Sequence, residues 1–170
     1  MKYPQPIQNL IDQFTQLPTV GPKTAERYVF YLLKKNPETL QNFAQALAEL
    51  KERTTVCGQC FALTESSPCP ICSDRQRRND WLCVVADTRY MQAIESTGKF
   101  TGRYHILGGV INAIDGVKPE HLNLKPLLAR VKAGGIQEVI LALNPNMEGE
   151  TTAMYLTKLI KPMGPRITRL

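Results

Sequence analysis

The sequence predicts a mixed α/β protein in which an N-terminal helical hairpin module and a cysteine-rich module precede a domain built on a central sheet. Three observations predict it. Apolar residues recur at helical spacing from Ile7 to Leu50, and four of the five cysteines fall between positions 57 and 72. From Trp81 onward, short apolar runs alternate with amphipathic stretches. The expected divisions are 1–55 for the helical module, 56–80 for the cysteine module with its linker, and 81–170 for the α/β domain.

In the first module Ile7, Leu10, Ile11 and Phe14 stand at i, i+3, i+4 and i+7, the apolar stripe of a helix over 5–16. "LPTVGPKT" interrupts it. A second helix begins at about Pro22, where the missing N–H costs nothing, and "KTAERYVFYLLKK" carries it to Lys35. A third starts near Pro37 and places Leu40, Phe43, Ala44, Leu47 and Leu50 on one face. Residues 73–80, "SDRQRRND", read as a linker whose Arg75, Arg77 and Arg78 are solvated. Beyond it, "WLCVVA", "YHIL", "EVILAL" and "RITRL" read as strands, and "TRYMQAIES", "LKPLLARVKA" and "ETTAMYLTKLI" as helices. Gly108–Gly109 marks a turn and Gly134–Gly135 a helix stop. Strands alternating with helices imply a parallel or mixed sheet.

Composition narrows the function classes. With 43% hydrophobic and 21% charged residues among 170, the chain is globular rather than disordered. No apolar run reaches membrane-spanning length, and "MKYPQPIQNL" lacks the charged start and apolar core of a signal peptide. A cytoplasmic location is therefore expected. Twenty-one basic against fifteen acidic residues leave a net charge of +6, which suits a polyanionic partner such as DNA.

Cys57, Cys60, Cys69 and Cys72 form two C-x2-C turns eight residues apart. Each turn brings two thiolates toward one ion, and two turns complete a closed tetrahedral site. Zn²⁺ suits four soft thiolates, and in a segment with few large apolar side chains it supplies folding energy. Two disulfides and an iron–sulfur cluster are the rival readings; reducing surroundings and tight symmetric spacing favour one structural zinc. Cys83, inside "WLCVVA", reads as a small buried hydrophobe.

"LPTVGPKTAERYVFYLL" is similar to a helix-hairpin-helix motif, whose usual core is apolar-x-Gly-apolar-Gly. Thr19 stands at the first glycine, while Val20 and Gly21 fit. The backbone freedom of Gly21 and the outward N–H groups of the next helix suit a phosphate oxygen. Lys23 and Arg27 follow on one face, with Thr24 beside them, so Thr19, Gly21, Lys23, Thr24 and Arg27 are the candidate DNA contacts. An ordinary helical turn with solvated basic residues is the alternative.

The strand "EVILAL" runs into "LNPNMEGE", where Asn144 and Asn146 precede Glu148 and Glu150. Acidic clusters at strand ends hold Mg²⁺ for phosphoryl chemistry, but neutral amides are poor ligands for it. Glu150 falls on the first turn of the following helix, where it meets the helix dipole. His105 and His121 have no nucleophile or carboxylate set to pair with, so structural or surface roles are expected.

The order of these modules, with "LPTVGPKTAERYVFYLL", "CFALTESSPCPICSDRQR" and "LALNPNMEGETTAMYL", resembles the RecR family of bacterial recombination mediators across essentially the whole chain. The resemblance implies a Toprim-like α/β domain with a mostly parallel sheet and a non-enzymatic, DNA-binding role in recombinational repair. It also implies RecO and RecF as partners, and homo-oligomers, dimers or tetrameric rings, that clasp DNA. Catalytic Toprim domains carry a Glu at the first strand end and Asp-x-Asp at a later one. Here Ala86 takes the first position, with Asp87 one residue on, and Asn144 and Asn146 take the others. No catalytic residue is assigned, and Asn144, Asn146, Glu148 and Glu150 become candidate partner contacts. A Mg²⁺-dependent Toprim-type nuclease or topoisomerase-like enzyme and a zinc-stabilised interaction scaffold are the alternatives. Family chains commonly continue past the strand matching "RITRL" into a segment that helps to join subunits, whereas this sequence stops at Leu170.

Overall fold

The computed structural model describes residues 3–170 and divides into two compact units, with the boundary between Glu52 and Arg53. The first holds α1 (Gln5–Thr15), α2 (Pro22–Leu32) and α3 (Pro37–Glu52). Helices α1 and α2 pack through Ile11, Ala25 and Val29, ringed by Ile7, Phe14 and Val20. Helix α2 stops at Leu32, short of the expected Lys35. Asn36 precedes a proline, which steers it away from helical geometry, and its side chain instead accepts the Thr39 N–H at 2.8 Å to start α3. The apolar stripe of α3 is present but uncovered: Phe43, Leu47 and Leu50 are 48%, 66% and 63% exposed.

The second unit opens with a two-stranded antiparallel ribbon, β1 (Thr55–Val56) and β2 (Leu63–Thr64), and the short α4 (Pro70–Ser73). It continues as β3 (Trp81–Val85), α5 (Thr88–Glu95), β4 (Arg103–Ile106), α6 (Leu124–Lys132), β5 (Glu138–Ala142), α7 (Met147–Ile160) and β6 (Arg166–Arg169). The four long strands form an all-parallel sheet in the order β4-β3-β5-β6. Side chains alternate across it. Leu82, Val84, Val139 and Leu141 share a core with Leu127 and Val131 of α6 and Leu156 and Ile160 of α7. Cys83, Val85, Tyr104 and Ile106 share the other with Met91 of α5 and all four cysteines of the 57–72 segment. Burial on both faces explains why β3 is a continuous apolar run rather than an alternating one. The chain moves outward from β3 to β4 and outward again from β5 to β6, so the order reverses between β3 and β5. In open α/β sheets the crevice at that reversal is the usual ligand position.

Most of the linker 73–80 is exposed as its charge suggests, but Arg77 is not. Arg77 pairs with Glu95 of α5 and donates to the Gly102 carbonyl at 3.1 Å, while the Tyr104 hydroxyl donates to Glu95 at 2.9 Å. The side chains of Arg77 and Glu95 are only 15% and 23% exposed. Arg78 stacks over the Trp81 ring at 3.9 Å and pairs with Asp80. Arg75 and Arg78 keep the exposed places expected of them, and Arg77 alone of the three does not. Arg77 leaves solvent because an opposite charge, Glu95 of α5, waits across the fold.

Helix α7 starts three residues earlier than expected, because Asn146 caps it: its side-chain oxygen accepts the Gly149 N–H at 2.9 Å. Gly149 then lies against the Asn144 carbonyl so closely that a Cβ would overlap the oxygen. The loop therefore closes only over a residue with no side chain. Replacing Gly149 with Ala is expected to cost on the order of 2–3 kcal/mol, the scale of an overpacked core. Urea unfolding checks it; an unchanged midpoint would show that the loop relaxes without strain.

Candidate metal centre and nucleic-acid interface

The cysteine quartet is built by two turns of similar logic. Cys57 and Cys60 follow β1, and the Cys57 N–H bonds the Ala62 carbonyl at 2.8 Å while its carbonyl accepts the Phe61 N–H at 2.9 Å. Cys69 caps α4, its sulfur accepting the Cys72 N–H at 3.4 Å, and the Cys57 sulfur accepts the Cys69 N–H at 3.3 Å. All four Sγ atoms lie within 4.8 Å of one another, the Cys60 and Cys69 pair at 3.6 Å, and all four residues are buried. Zinc–sulfur bonds of about 2.3 Å in a tetrahedron place sulfurs roughly 3.8 Å apart, so the donor set fits Zn²⁺.

Electrostatics gives the same answer. Burial opposes ionisation of Cys57, but N–H groups of Cys69, Cys60 and Gln59 outweigh it and bring the thiol down to about 6. Cys60 is pushed up by the neighbouring Cys72 thiol and by burial, and Cys69 by burial. The raised thiols of Cys60 and Cys69 ionise more readily beside a cation, so metal loading releases protons. Cys83 lies outside the quartet, and burial alone pushes its thiol up to about 12, in keeping with a packing role.

Phe61 directly follows the first turn with φ +66°, a left-handed conformation that a residue with a side chain adopts at a cost. Its ring meets His105 edge-on at 5.3 Å, and the Cys60 carbonyl accepts the Ile106 N–H at 2.7 Å. The aromatic packing holds the strained turn against β4. Nothing in the sequence pattern points to Phe61, since the position reads as glycine-like only once the turn is seen.

In the hairpin, the left-handed residue is Thr19, with φ +66°, and not Gly21, which has φ −82° and ψ 169°. Gly21 thus does not supply the special backbone freedom expected of it; Thr19 adopts the unusual conformation at the position where the motif has its first glycine. What Gly21 provides is absence. A Cβ there would meet nothing within 4 Å, and no side chain caps α2. The first helical bond runs from the Ala25 N–H to the Gly21 carbonyl at 3.0 Å, so the N–H groups of Lys23 and Thr24 have no intrahelical partner. Lys23 and Arg27 are exposed on this turn and the next, and neither forms an ion pair among the described residues. Thr19, Gly21, Lys23, Thr24 and Arg27 are thereby brought to one end of α2.

At the reversal between β3 and β5, most of the polar side chains have partners. Ala86 offers only its carbonyl, to Gly108 N–H at 2.9 Å. Asp87 caps α5 by accepting the Arg89 N–H at 2.8 Å, and its hydrogen bond with the Arg89 guanidinium holds the carboxyl below the usual range. Asn144 donates to the Tyr90 hydroxyl at 2.6 Å, and Asn146 caps α7. Glu148 and Glu150 occupy the first turn of α7, with Glu150 paired to Arg169 at 2.6 Å. Among the described residues, the cysteine quartet is the one group of metal-ligating side chains gathered closely enough to hold an ion. His105 is fully buried and donates from Nε2–H to the Asn123 carbonyl, 2.8 Å away; burial takes its pKa down to about 4. His121 is exposed in a turn.

Comparison with known proteins follows this division. Residues 7–51 match the family model described as RecR, helix-hairpin-helix, residues 54–74 that of the four-cysteine zinc finger domain of RecR, and residues 80–170 that of the Toprim domain. Recombination protein RecR of Staphylococcus aureus (strain JH9) is 45% identical over 170 residues, all of this chain and 86% of the relative. That of Gloeobacter violaceus is 48% identical over 168 residues, 99% of this chain and 85% of the relative. The quartet is accordingly a structural site for one Zn²⁺. With all three models matched in order and this identity along its whole length, the chain belongs to the RecR family of recombination proteins.

Proposed function

We propose that the chain is a non-enzymatic, DNA-binding mediator of recombinational repair that works with RecO and RecF in the cytoplasm. The observation that carries this reading is the open end of α2, where two unpartnered N–H groups stand beside exposed Lys23 and Arg27. Such a surface holds backbone phosphate without reading bases, and the net charge of +6 favours the same partner. Thr19 and Gly21 shape the approach, and Thr24 contributes its N–H.

A binding role rather than phosphoryl transfer is supported by the crevice between β3 and β5. Alanine and two asparagines stand where Toprim enzymes use carboxylates, and Asp87 is taken up by a cap and an arginine. Asn144, Asn146, Glu148 and Glu150 are then a surface for protein partners. The uncovered stripe of Phe43, Leu47 and Leu50 supports assembly into a homo-oligomer, a dimer or tetrameric ring. Four thiols poised for metal suit a reducing compartment. No helix among the described residues is long and apolar enough to cross a membrane.

Replacing Lys23 and Arg27 with Ala is expected to weaken DNA binding to a similar degree for every sequence tested. The slope of log affinity against log salt should become shallower by about two, one phosphate contact per residue. Fluorescence anisotropy across a salt series measures both. Unchanged affinity and slope would favour a zinc-stabilised scaffold, and Mg²⁺-dependent loss of the labelled DNA in the same cuvette would favour an enzyme.

A further inference from the structure

Strand β4 lies at the edge of the sheet, and two different parts of the molecule cover its free side. The Ile106 N–H donates to the Cys60 carbonyl at 2.7 Å, and the Tyr104 carbonyl accepts from Arg130 Nη1 of α6 at 2.9 Å. Residues two apart on a strand direct their backbone groups to the same side. The Arg130 guanidinium and the first cysteine turn therefore sit next to one another along one edge. From the same strand, Arg103 reaches the second cysteine turn, donating to the Cys72 carbonyl and, at 3.0 Å, to that of Asp74.

Two guanidiniums thus lie along the edge that carries the two cysteine turns. Burial lowers the Arg130 pKa and the Arg103 charge lowers it further, while the charges of Cys72, Cys60 and Cys57 raise it. Among the described residues no carboxylate pairs with either arginine. The nearby anion is the thiolate set. Zinc bound by four thiolates keeps two net negative charges, which two guanidiniums match.

We propose that Arg130 is a positioning residue of the metal centre: with Arg103 it supplies the counter-charge to the zinc–tetrathiolate cluster and fastens that cluster to the free edge of β4. Outer-sphere groups of this kind hold ligand charge and orientation, and their loss typically weakens metal affinity about 10–100-fold. The effect has opposite signs in the two metal states. With zinc bound, the guanidinium faces a cluster of two net negative charges; once the metal leaves and thiols take up protons, the half-buried cation keeps less counter-charge.

The test uses the full chain with Arg130→Gln, which keeps a donor for the Tyr104 carbonyl and loses only the charge, and Arg130→Lys, which keeps the charge. Zinc affinity is measured by competition with a chelating dye, and zinc release by trapping with excess chelator. Arg130→Gln is expected to weaken affinity and speed release at least about 10-fold, with Arg130→Lys within about threefold of the parent. Zinc-stripped Arg130→Gln should resist urea at least as well as the stripped parent. Equal zinc release from parent and Arg130→Gln, or equal losses in Gln and Lys variants, would overturn the proposal and leave Arg130 as a cover for one carbonyl. Release needs only the loaded protein, so the comparison stands even where stripped forms do not fold.

Discussion

Four thiol sulfurs within 4.8 Å of one another are the constraint on which the second unit depends. Once ionised they repel, and only a cation at their centre makes the arrangement stable. The segment that carries them has a two-residue strand pair and a single helical turn of its own, too little to fold without a staple. Yet its cysteines are part of the same buried cluster as Val85, Met91, Tyr104 and Ile106. The metal centre and one face of the sheet are therefore one core. The Cys60 carbonyl, which caps the Ile106 N–H, extends that unity to the sheet edge, where an unpaired strand would otherwise invite foreign pairing.

The crevice at the carboxyl ends of β3 and β5 has the opposite character. Topology brings β3 and β5 side by side with their carboxyl ends at a common crevice, as an α/β enzyme would. The side chains there are spent on local structure: Asp87 and Asn146 cap helices, and Asn144 bonds Tyr90. Gly149 lets the loop close tightly against the Asn144 carbonyl. Geometry inherited from the fold and the side chains placed on it are separable, and here Ala86, Asn144 and Asn146 stand at the strand ends. Glu148 and Glu150, on the first turn of α7, make the rim partly acidic.

Much of this is legible in the residue pattern, for physical reasons. Two C-x2-C turns admit few geometries, and the quartet is found together. The continuous apolar run of β3 follows from burial on both faces, and prolines at the starts of the three N-terminal helices mark where N–H groups are dispensable. The features that escape the pattern depend on partners distant in sequence. Arg77 reads as solvated until Glu95, eighteen residues on, is folded against it. Thr19 and Phe61 take left-handed conformations that their residue types disfavour, so only the surrounding contacts reveal them. The cap by Asn146 is local and does carry a signal, since Asn at a strand end is a preferred helix start; the same residue also occupies a metal-ligand position of the fold, and one pattern masks the other.

Amide hydrogen exchange on zinc-loaded and zinc-stripped protein tests most directly whether the metal organises the sheet edge as well as its own loop. The Ile106 amide, held by the Cys60 carbonyl, should lose most of its protection on stripping, together with the amides of residues 57–72, while the β5–β6 ladder keeps its own. An Ile106 amide equally protected in both forms would contradict the account, because the edge of the sheet would then stand without the zinc centre.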